Sequence, residues 1–373
     1  MEKVRIGIVG IGNMGKSHAA NIFEGKVKNG VLTAVCDNDP AKLKWAEEQF
    51  GDKVKRFDAI DALLDSGLVD GVIIAVPHYD HPTFAIKAFG KGLHVLCEKP
   101  AGVYTRQVRE MNEVAEKSGK VFSMMYNQRT NPLYQKLKDL VESGELGEIT
   151  RTNWIITNWY RSQFYYNSGG WRATWEGEGG GVLLNQDPHQ LDLWQWTCGM
   201  PVRVRAFCGF GKYHNIEVED DVTAYVEYEN GATGVFITST GNAPGTNRFE
   251  VTGDRGKIVI EDGSLKFWRT RESVKKAIYE STEGFRPPEC WTCEVPITGV
   301  ETSHPGIMTN WVDAILNGAR LLAPGVEGIR GLQISNAIHL SAWTDNWVNI
   351  PVDEDLFYDK LMERVNASKS KKR

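Results

Sequence analysis

Val4-Arg5-Ile6-Gly7-Ile8-Val9-Gly10-Ile11-Gly12-Asn13-Met14-Gly15 opens the chain with an apolar run that ends in a glycine cluster. Alone, Gly-x-Gly-x-x-Gly is a weak pattern. Here it follows a predicted strand, Val4–Val9, and leads into a predicted helix over Gly15–Phe23, the context in which it makes a dinucleotide-binding turn. Each glycine has its own reason. Gly10 permits the tight turn, Gly12 lets backbone approach a pyrophosphate, and Gly15 lets helix and strand pack closely. Asn13 and Met14 lie in the turn that starts the helix, where unbonded N–H groups and the positive dipole end favour phosphate. Asp37 ends the second apolar run, roughly 20 residues past the glycines. A carboxylate there accepts from both ribose hydroxyls and repels a 2′-phosphate. No arginine follows it immediately, so NAD is expected rather than NADP.

Outward from this turn, short apolar runs alternate with helical stretches. Val31–Cys36, Val69–Val76, His94–Cys97 and Val121–Met125 read as strands, and Ala41–Phe50 and Thr83–Gly90 as helices. Such alternation predicts an α/β domain, a Rossmann-type doubly wound parallel sheet, over residues 1–125. The pattern then changes. Thr150–Trp159, Val202–Phe210, Val222–Glu229, Thr233–Thr238, Phe249–Gly253, Lys257–Glu261 and Leu265–Trp268 read as successive strands. Asn230-Gly231 is the strongest short hairpin signal, and Asp262-Gly263 makes a second turn. Residues 126–373 are therefore expected to form an α+β domain with a large, mostly antiparallel open sheet. Helical patterns return at Ile307–Gly318 and Ile329–Asn346. They are expected to pack on one sheet face, with the last helices reaching back toward the first domain.

Bulk properties fit a two-domain globular protein. The chain has 373 residues, 41% hydrophobic and 24% charged, enough for two cores. Net charge is −5, and the only dense basic run is the tail Lys369, Lys371, Lys372 and Arg373, read as a solvated terminus. Nucleic acid is not an expected partner. No apolar stretch approaches the ~18 residues that span a bilayer, and the first apolar run meets Gly10 too early for a secretory leader. Six scattered cysteines suit a reducing cytoplasm. Cys290-Trp291-Thr292-Cys293 is a lone C-x-x-C without a second ligand pair, so no metal is expected.

Two further motifs carry chemistry. His94-Val95-Leu96-Cys97-Glu98-Lys99-Pro100 places an acid, a base and a proline just past a strand's carboxyl end, where open α/β sheets bind ligands. Gly179-Gly180-Gly181 leads through Asn185, Asp187 and Pro188 to His189 and Asp192. With the N-terminal fingerprint, these motifs resemble the glucose–fructose oxidoreductase / inositol dehydrogenase / rhizopine catabolism family, over most of the chain and in the same order. Val76-Pro77-His78, with His81 following, is similar to that family's nicotinamide-side loop. The resemblance implies a nicotinamide contact for Pro77, His78, His81, Glu98 and Lys99. It implies that Lys99 and His189 act on a substrate hydroxyl, and that copies pair through the second sheet into homodimers or homotetramers.

The sequence departs from the family pattern at Asn185, where an aspartate is usual. Asparagine orients a hydroxyl but takes up no proton. Asp187 could supply the missing carboxylate, although two residues from His189 it would not share a helix face with it. Asn185 also has a plainer reading as a helix N-cap, with Gln186, Asp187 and Pro188 as the first helical positions. Capping and substrate contact are compatible, and both stay open. Asp192 reads as structural.

Residues 154–175 are dense in aromatics with Arg161 and Arg172 interleaved. Sugar rings offer C–H faces to aromatic rings and hydroxyls to arginine, asparagine and tyrosine. Trp159, Tyr160, Tyr165, Trp171 and Arg172 are the candidate carbohydrate contacts. Arg129 is another, at the expected domain junction, and His304 and Trp343 are weaker ones. The aromatic supply fits a glycoside, oxidised at C3 as the resemblance allows. Two alternatives remain: a glycosidase that retains NAD through an oxidation–elimination cycle, and a non-catalytic sensor of NAD or sugar, which Asn185 favours.

Overall fold

The computed structural model describes Glu2–Lys371; the side chains of the basic tail Lys369, Lys371, Lys372 and Arg373 lie outside the described residues. Two compact units emerge. The first runs through Thr130 and includes Glu301–Leu332; the second comprises Asn131–Val300 and continues from Gln333. The boundary expected at 125/126 thus falls at 130/131, and the later segment is divided.

In the first unit, β1 (Val4–Val9), α1 (Asn13–Phe23), β2 (Gly30–Cys36), α2 (Pro40–Phe50), β3 (Lys55–Phe57), α3 (Ile60–Leu64), β4 (Gly71–Ile74), α4 (Asp80–Gly90), β5 (His94–Cys97), α5 (Thr105–Ser118) and β6 (Phe122–Met124) follow in order. The sheet order is β3-β2-β1-β4-β5-β6, and all pairings are parallel. Strands covered on both faces must be apolar throughout, and β4 (Gly71-Val72-Ile73-Ile74) is buried at every position. The order reverses between β1 and β4, so the carboxyl ends of β1, β4 and β5 form the edge where such sheets bind ligands. Those ends carry Gly10, Pro77 and Glu98-Lys99.

In the second unit, α6 (Pro132–Glu142), β7 (Ile149–Ile156), α7 (Gln163–Asn167), α8 (Val182–Asn185), α9 (Pro188–Cys198), β8 (Arg203–Phe210), β9 (Glu219–Glu227), β10 (Thr233–Ser239), β11 (Asn247–Gly253), β12 (Gly256–Glu261), β13 (Ser264–Thr270), α10 (Val274–Glu280) and β14 (Cys290–Cys293) precede the return segment. With β15 (Val348–Asn349) they make a nine-stranded sheet, β14-β13-β12-β11-β7-β10-β9-β8-β15. Only β7 and β10 pair in parallel. The Asn230-Gly231 turn joins antiparallel β9 and β10, with Gly231 at φ 84°. Asp262 and Gly263 form the two-residue turn between β12 and β13, both at positive φ, as a type I′ hairpin requires.

Alternate residues of this sheet face opposite ways. On one face Trp154 stacks on Phe249 at 4.1 Å and Trp194 of α9 on Phe236 at 5.4 Å, all four fully buried. The other face leaves Phe207 and Tyr225 exposed on β8 and β9.

Helix α11 (Ser303–Asn317) is one of the late helices expected to reach back toward the first domain. It belongs to the first unit, where Trp311 is fully buried and its ring reaches the backbone of Gly71 on β4. Only a glycine at position 71 leaves room for that ring. Helix α12 (Gly328–Thr344) spans the division between the units, and α13 (Glu354–Lys371) ends the described chain. Among the described residues no helix is long and apolar enough to cross a membrane. No group of three or more His, Cys, Asp or Glu side chains there could hold a metal.

Candidate active site

The glycine turn is built as its sequence demands. Gly10 sits at φ 89°, and a Cβ there would lie 2.5 Å from the Ala75 carbonyl. At Gly12, the N-cap of α1, a Cβ would meet nothing within 4 Å. No side chain caps the helix at that point. Its first-turn N–H groups therefore open onto space that a pyrophosphate fits.

Asp37 is 7% exposed. Its Oδ2 accepts the Ile11 N–H at 2.7 Å and its Oδ1 the Asp39 N–H at 3.0 Å. The carboxylate thus anchors the glycine turn as well as standing where a ribose is expected. Lys42 Nζ is 3.3 Å from both its oxygens, a cation that the sequence reading overlooked. These residues fit a bound dinucleotide, which when present would supply the hydride acceptor or donor.

Behind Lys99 lies a buried ionic cluster. His18 Nε2 donates to Glu98 Oε1 at 2.6 Å, and Glu98 Oε2 accepts the Lys99 backbone N–H at 3.1 Å. The His304 ring centroid is 5.5 Å from that of His18. Burial alone would raise the Glu98 pKa. The His18 hydrogen bond and the charges of His18, Lys99 and His304 outweigh it and hold the carboxyl at about 2. Glu98 is an ionised support for the Lys99 turn. Burial depresses the His304 pKa.

His81 departs from its expected role. It is 1% exposed, with Nδ1 2.7 Å from the Pro100 carbonyl and Nε2 2.8 Å from the Val76 carbonyl. Burial lowers its pKa, so the neutral ring donates to one of these carbonyls and lies against the other, between the Val76-Pro77 loop and the Lys99-Pro100 turn. His78 is also buried, its ring 6.0 Å from that of His81. Pro77 is exposed and Lys99 half-buried.

Arg129 is likewise corrected. Fully buried, it donates to Glu327 at 2.6 Å and to the Leu322 carbonyl at 3.0 Å. Its guanidinium ties the return segment to the first unit and is consumed by that tie.

The second unit gathers most of the substrate candidates. Arg172 donates to the Tyr165 hydroxyl at 2.9 Å, and that hydroxyl donates to Asn185 Oδ1 at 3.3 Å. Asn185 Nδ2 donates in turn to Glu178. The Arg172 guanidinium also lies 4.7 Å over the Tyr165 ring and 4.8 Å over Trp171. Trp159 Nε1 donates to Asp187 Oδ1 at 2.6 Å, so one oxygen of Asp187 holds an aromatic wall. Tyr160 is exposed and stands apart from these bonds. Trp154 and Trp175 are core.

Asn185 is not an N-cap. It closes the short helix α8, and Asp187 takes the N-cap position of α9, with Pro188 beginning the helix. Pro188 carried that signal, since proline favours the first helical position. His189 then lies in the first turn of α9, half-buried. The triple glycine has a packing reason too: a Cβ at Gly181 would strike the Glu219 carbonyl at 2.0 Å. Glu219 Oε1 accepts the Gly181 and Leu183 N–H groups at 2.9 and 3.1 Å.

Residues 4–126 match the model of the oxidoreductase family with an NAD-binding Rossmann fold, and residues 134–259 that of the GFO/IDH/MocA C-terminal domain. The chain belongs to the GFO/IDH/MocA oxidoreductase family. Among its relatives, the D-glucoside 3-dehydrogenase of Escherichia coli is 31% identical over 250 residues, 61% of this chain and 68% of that one. Levoglucosan dehydrogenase of Pseudarthrobacter phenanthrenivorans is 24% identical over 94% of this chain and 99% of its own. The WlbA dehydrogenase of Chromobacterium violaceum, solved with NADH and UDP-GlcNAcA, superposes with a TM-score of 0.80 at 29% identity, covering 95% of this chain and 97% of that one. In this GFO/IDH/MocA chain another residue that sequence reasoning missed, besides Lys42, is Glu178. It is 2% exposed, immediately precedes the triple glycine, and supplies a carboxylate beside Asn185.

Proposed function

We propose that this oxidoreductase uses NAD to exchange hydride with a secondary hydroxyl of a sugar, the C3 hydroxyl of a glucoside being the foremost candidate. The observation that carries the substrate class is the cluster of Tyr165, Trp171, Arg172 and Asn185, which combines aromatic faces with oriented hydrogen-bond donors and acceptors. That mixture suits a ring with apolar C–H faces and equatorial hydroxyls. A relative that acts at C3 of D-glucosides supports the choice of carbon.

NAD is favoured over NADP because the Asp37 carboxylate is buried and fixed by two backbone donors, so it cannot swing away from a 2′-phosphate. His189 takes the proton of the substrate hydroxyl, and Lys99 stabilises the alkoxide that forms as hydride leaves the same carbon. Acid–base assistance of this kind contributes ~100- to 10,000-fold. Copies of the chain assemble through the exposed sheet face around Phe207 and Tyr225, as homodimers or homotetramers.

The test is NADH formation, followed by absorbance, from purified protein, NAD and a panel of inositols, aldoses, sugar acids and glucosides. Strong turnover of a glucoside, lost in both Lys99→Ala and His189→Ala, is the expected result. Full turnover in either variant removes that residue from the mechanism. Strong oxidation of free inositol or glucose with glucosides ignored removes the glycoside assignment.

A further inference from the structure

Glu178 is a buried carboxylate that the proposed chemistry does not use. It sits at the end of a directed chain of donors. A guanidinium (Arg172) donates to a phenol (Tyr165), the phenol to an amide oxygen (Asn185), and the amide N–H to Glu178 Oε1. Gln186 Nε2 also donates to Asn185 Oδ1, at 3.0 Å. The chain runs from cation to anion, so each bond polarises the next. The other carboxylate oxygen, Oε2, accepts the Ala173 N–H at 2.6 Å. Ala173 adopts φ 54°, a left-handed backbone unusual for a residue with a Cβ, and the turn it makes aims its N–H at Glu178.

Both carboxylate oxygens therefore face donors. The ionised form accepts from both most strongly; a protonated carboxyl loses acceptor strength at one oxygen, and an amide in its place sets an N–H against one of the donors. Arg172, 3.9 Å from Oε1, is a cation that faces the group. Glu219 and Tyr166 are further titratable groups coupled to it.

We propose that ionised Glu178 is a positioning residue for the sugar: it fixes the Asn185 amide, and through it the Tyr165 hydroxyl, in the orientation that receives the substrate hydroxyls. This rests on the sugar-oxidoreductase reading above. Burial raises the carboxyl to about 6, against the lowering effects of the Ala173 and Asn185 hydrogen bonds and of Arg172. Protonation thus falls in an accessible range, and it weakens the hold on Asn185.

The sign of the stability effect separates positioning from plain structure. A carboxyl whose folded pKa is raised stabilises below its ordinary value of 4.5 and loses that contribution as pH rises through about 6. The ionised group is carried at a cost to the fold, so Glu178→Gln gains stability relative to the wild type over that interval.

The experiment measures kcat/KM for NADH formation from a glucoside, and the unfolding midpoint, from pH 5 to 9. Wild type, Glu178→Gln and Asn185→Ala are compared. At pH 8 Glu178→Gln is expected to lose about 10- to 100-fold in kcat/KM, the scale of a hydrogen bond to a charged group. The wild-type decline below about pH 6 becomes shallower in both variants, which keep only the part due to protonation of the proton acceptor His189. The midpoint difference, Glu178→Gln minus wild type, grows between pH 5 and 7. An active wild type whose variants keep its kcat/KM and its acid decline overturns the assignment. If Glu178→Gln does not fold, Asn185→Ala decides alone, because it leaves the carboxylate in place and removes what the carboxylate orients. If the wild type makes no NADH from any sugar, the functional reading falls by itself. Glucoside binding, followed by tryptophan fluorescence, then decides for Glu178: weakening below pH 6 in the wild type only supports it, and no such difference overturns it.

Discussion

Lys42 Nζ sits 3.3 Å from each carboxylate oxygen of Asp37. In the proposed NAD site the ion pair would set a negative charge against a ribose 2′-phosphate and mask the lysine that would otherwise welcome one. Asp37→Ser removes the repulsion and unmasks Lys42. The ratio of kcat/KM with NADP to that with NAD is expected to rise about 10- to 100-fold, for one charged hydrogen-bonding group exchanged. An unchanged ratio would remove Asp37 as the discriminating residue.

Glu98 yields a prediction of the opposite sign to Glu178. Its folded pKa, about 2, lies below its ordinary 4.5. The stability it contributes is present above pH 4.5 and is lost as pH falls toward 2. That difference is worth on the order of 3 kcal/mol. Glu98→Gln should unfold at lower denaturant at pH 7 and show a flatter loss of stability on acidification. A variant as stable as the wild type at pH 7 would show that the His18–Glu98 pair contributes nothing.

Phe207 is 62% exposed on β8, with Tyr225 on β9 exposed beside it. In the proposed assembly these apolar side chains lie in the interface between copies. Light scattering should give a dimer or tetramer for the wild type, and Phe207→Glu should shift it to monomer with its unfolding curve preserved in shape. A wild type that is monomeric at micromolar concentration would contradict the proposed assembly.

Legibility in the sequence followed the range of the interactions. The glycine turn, Asp37 and the two hairpin turns were readable because each is decided by a few adjacent residues whose conformational needs are strong. The short edge strands β3, β14 and β15 lack periodicity and were not. Arg129 looked available because its partner Glu327 is 198 residues away. His81 looked like a cofactor contact because nothing local reveals that two carbonyls enclose its ring. Of the two readings open for Asn185, the cap falls two residues later, at Asp187, where Pro188 points. Glu178 escaped notice altogether. Its contact with Asn185 depends on the left-handed turn at Ala173 and on close packing at the triple glycine, and neither leaves a spacing that can be counted.

Hydride transfer itself is the central claim, and isotope tracing tests it most directly. The enzyme would be given NAD and methyl glucosides deuterated separately at C2, C3 and C4, with the nicotinamide product weighed by mass spectrometry. The account predicts that NADH gains one deuterium from the C3-labelled glucoside and none from the others. Net NADH carrying deuterium from C2 or C4 would move the reaction to another carbon. No net NADH, with the glucoside cleaved or recovered intact, would contradict the dehydrogenase reading.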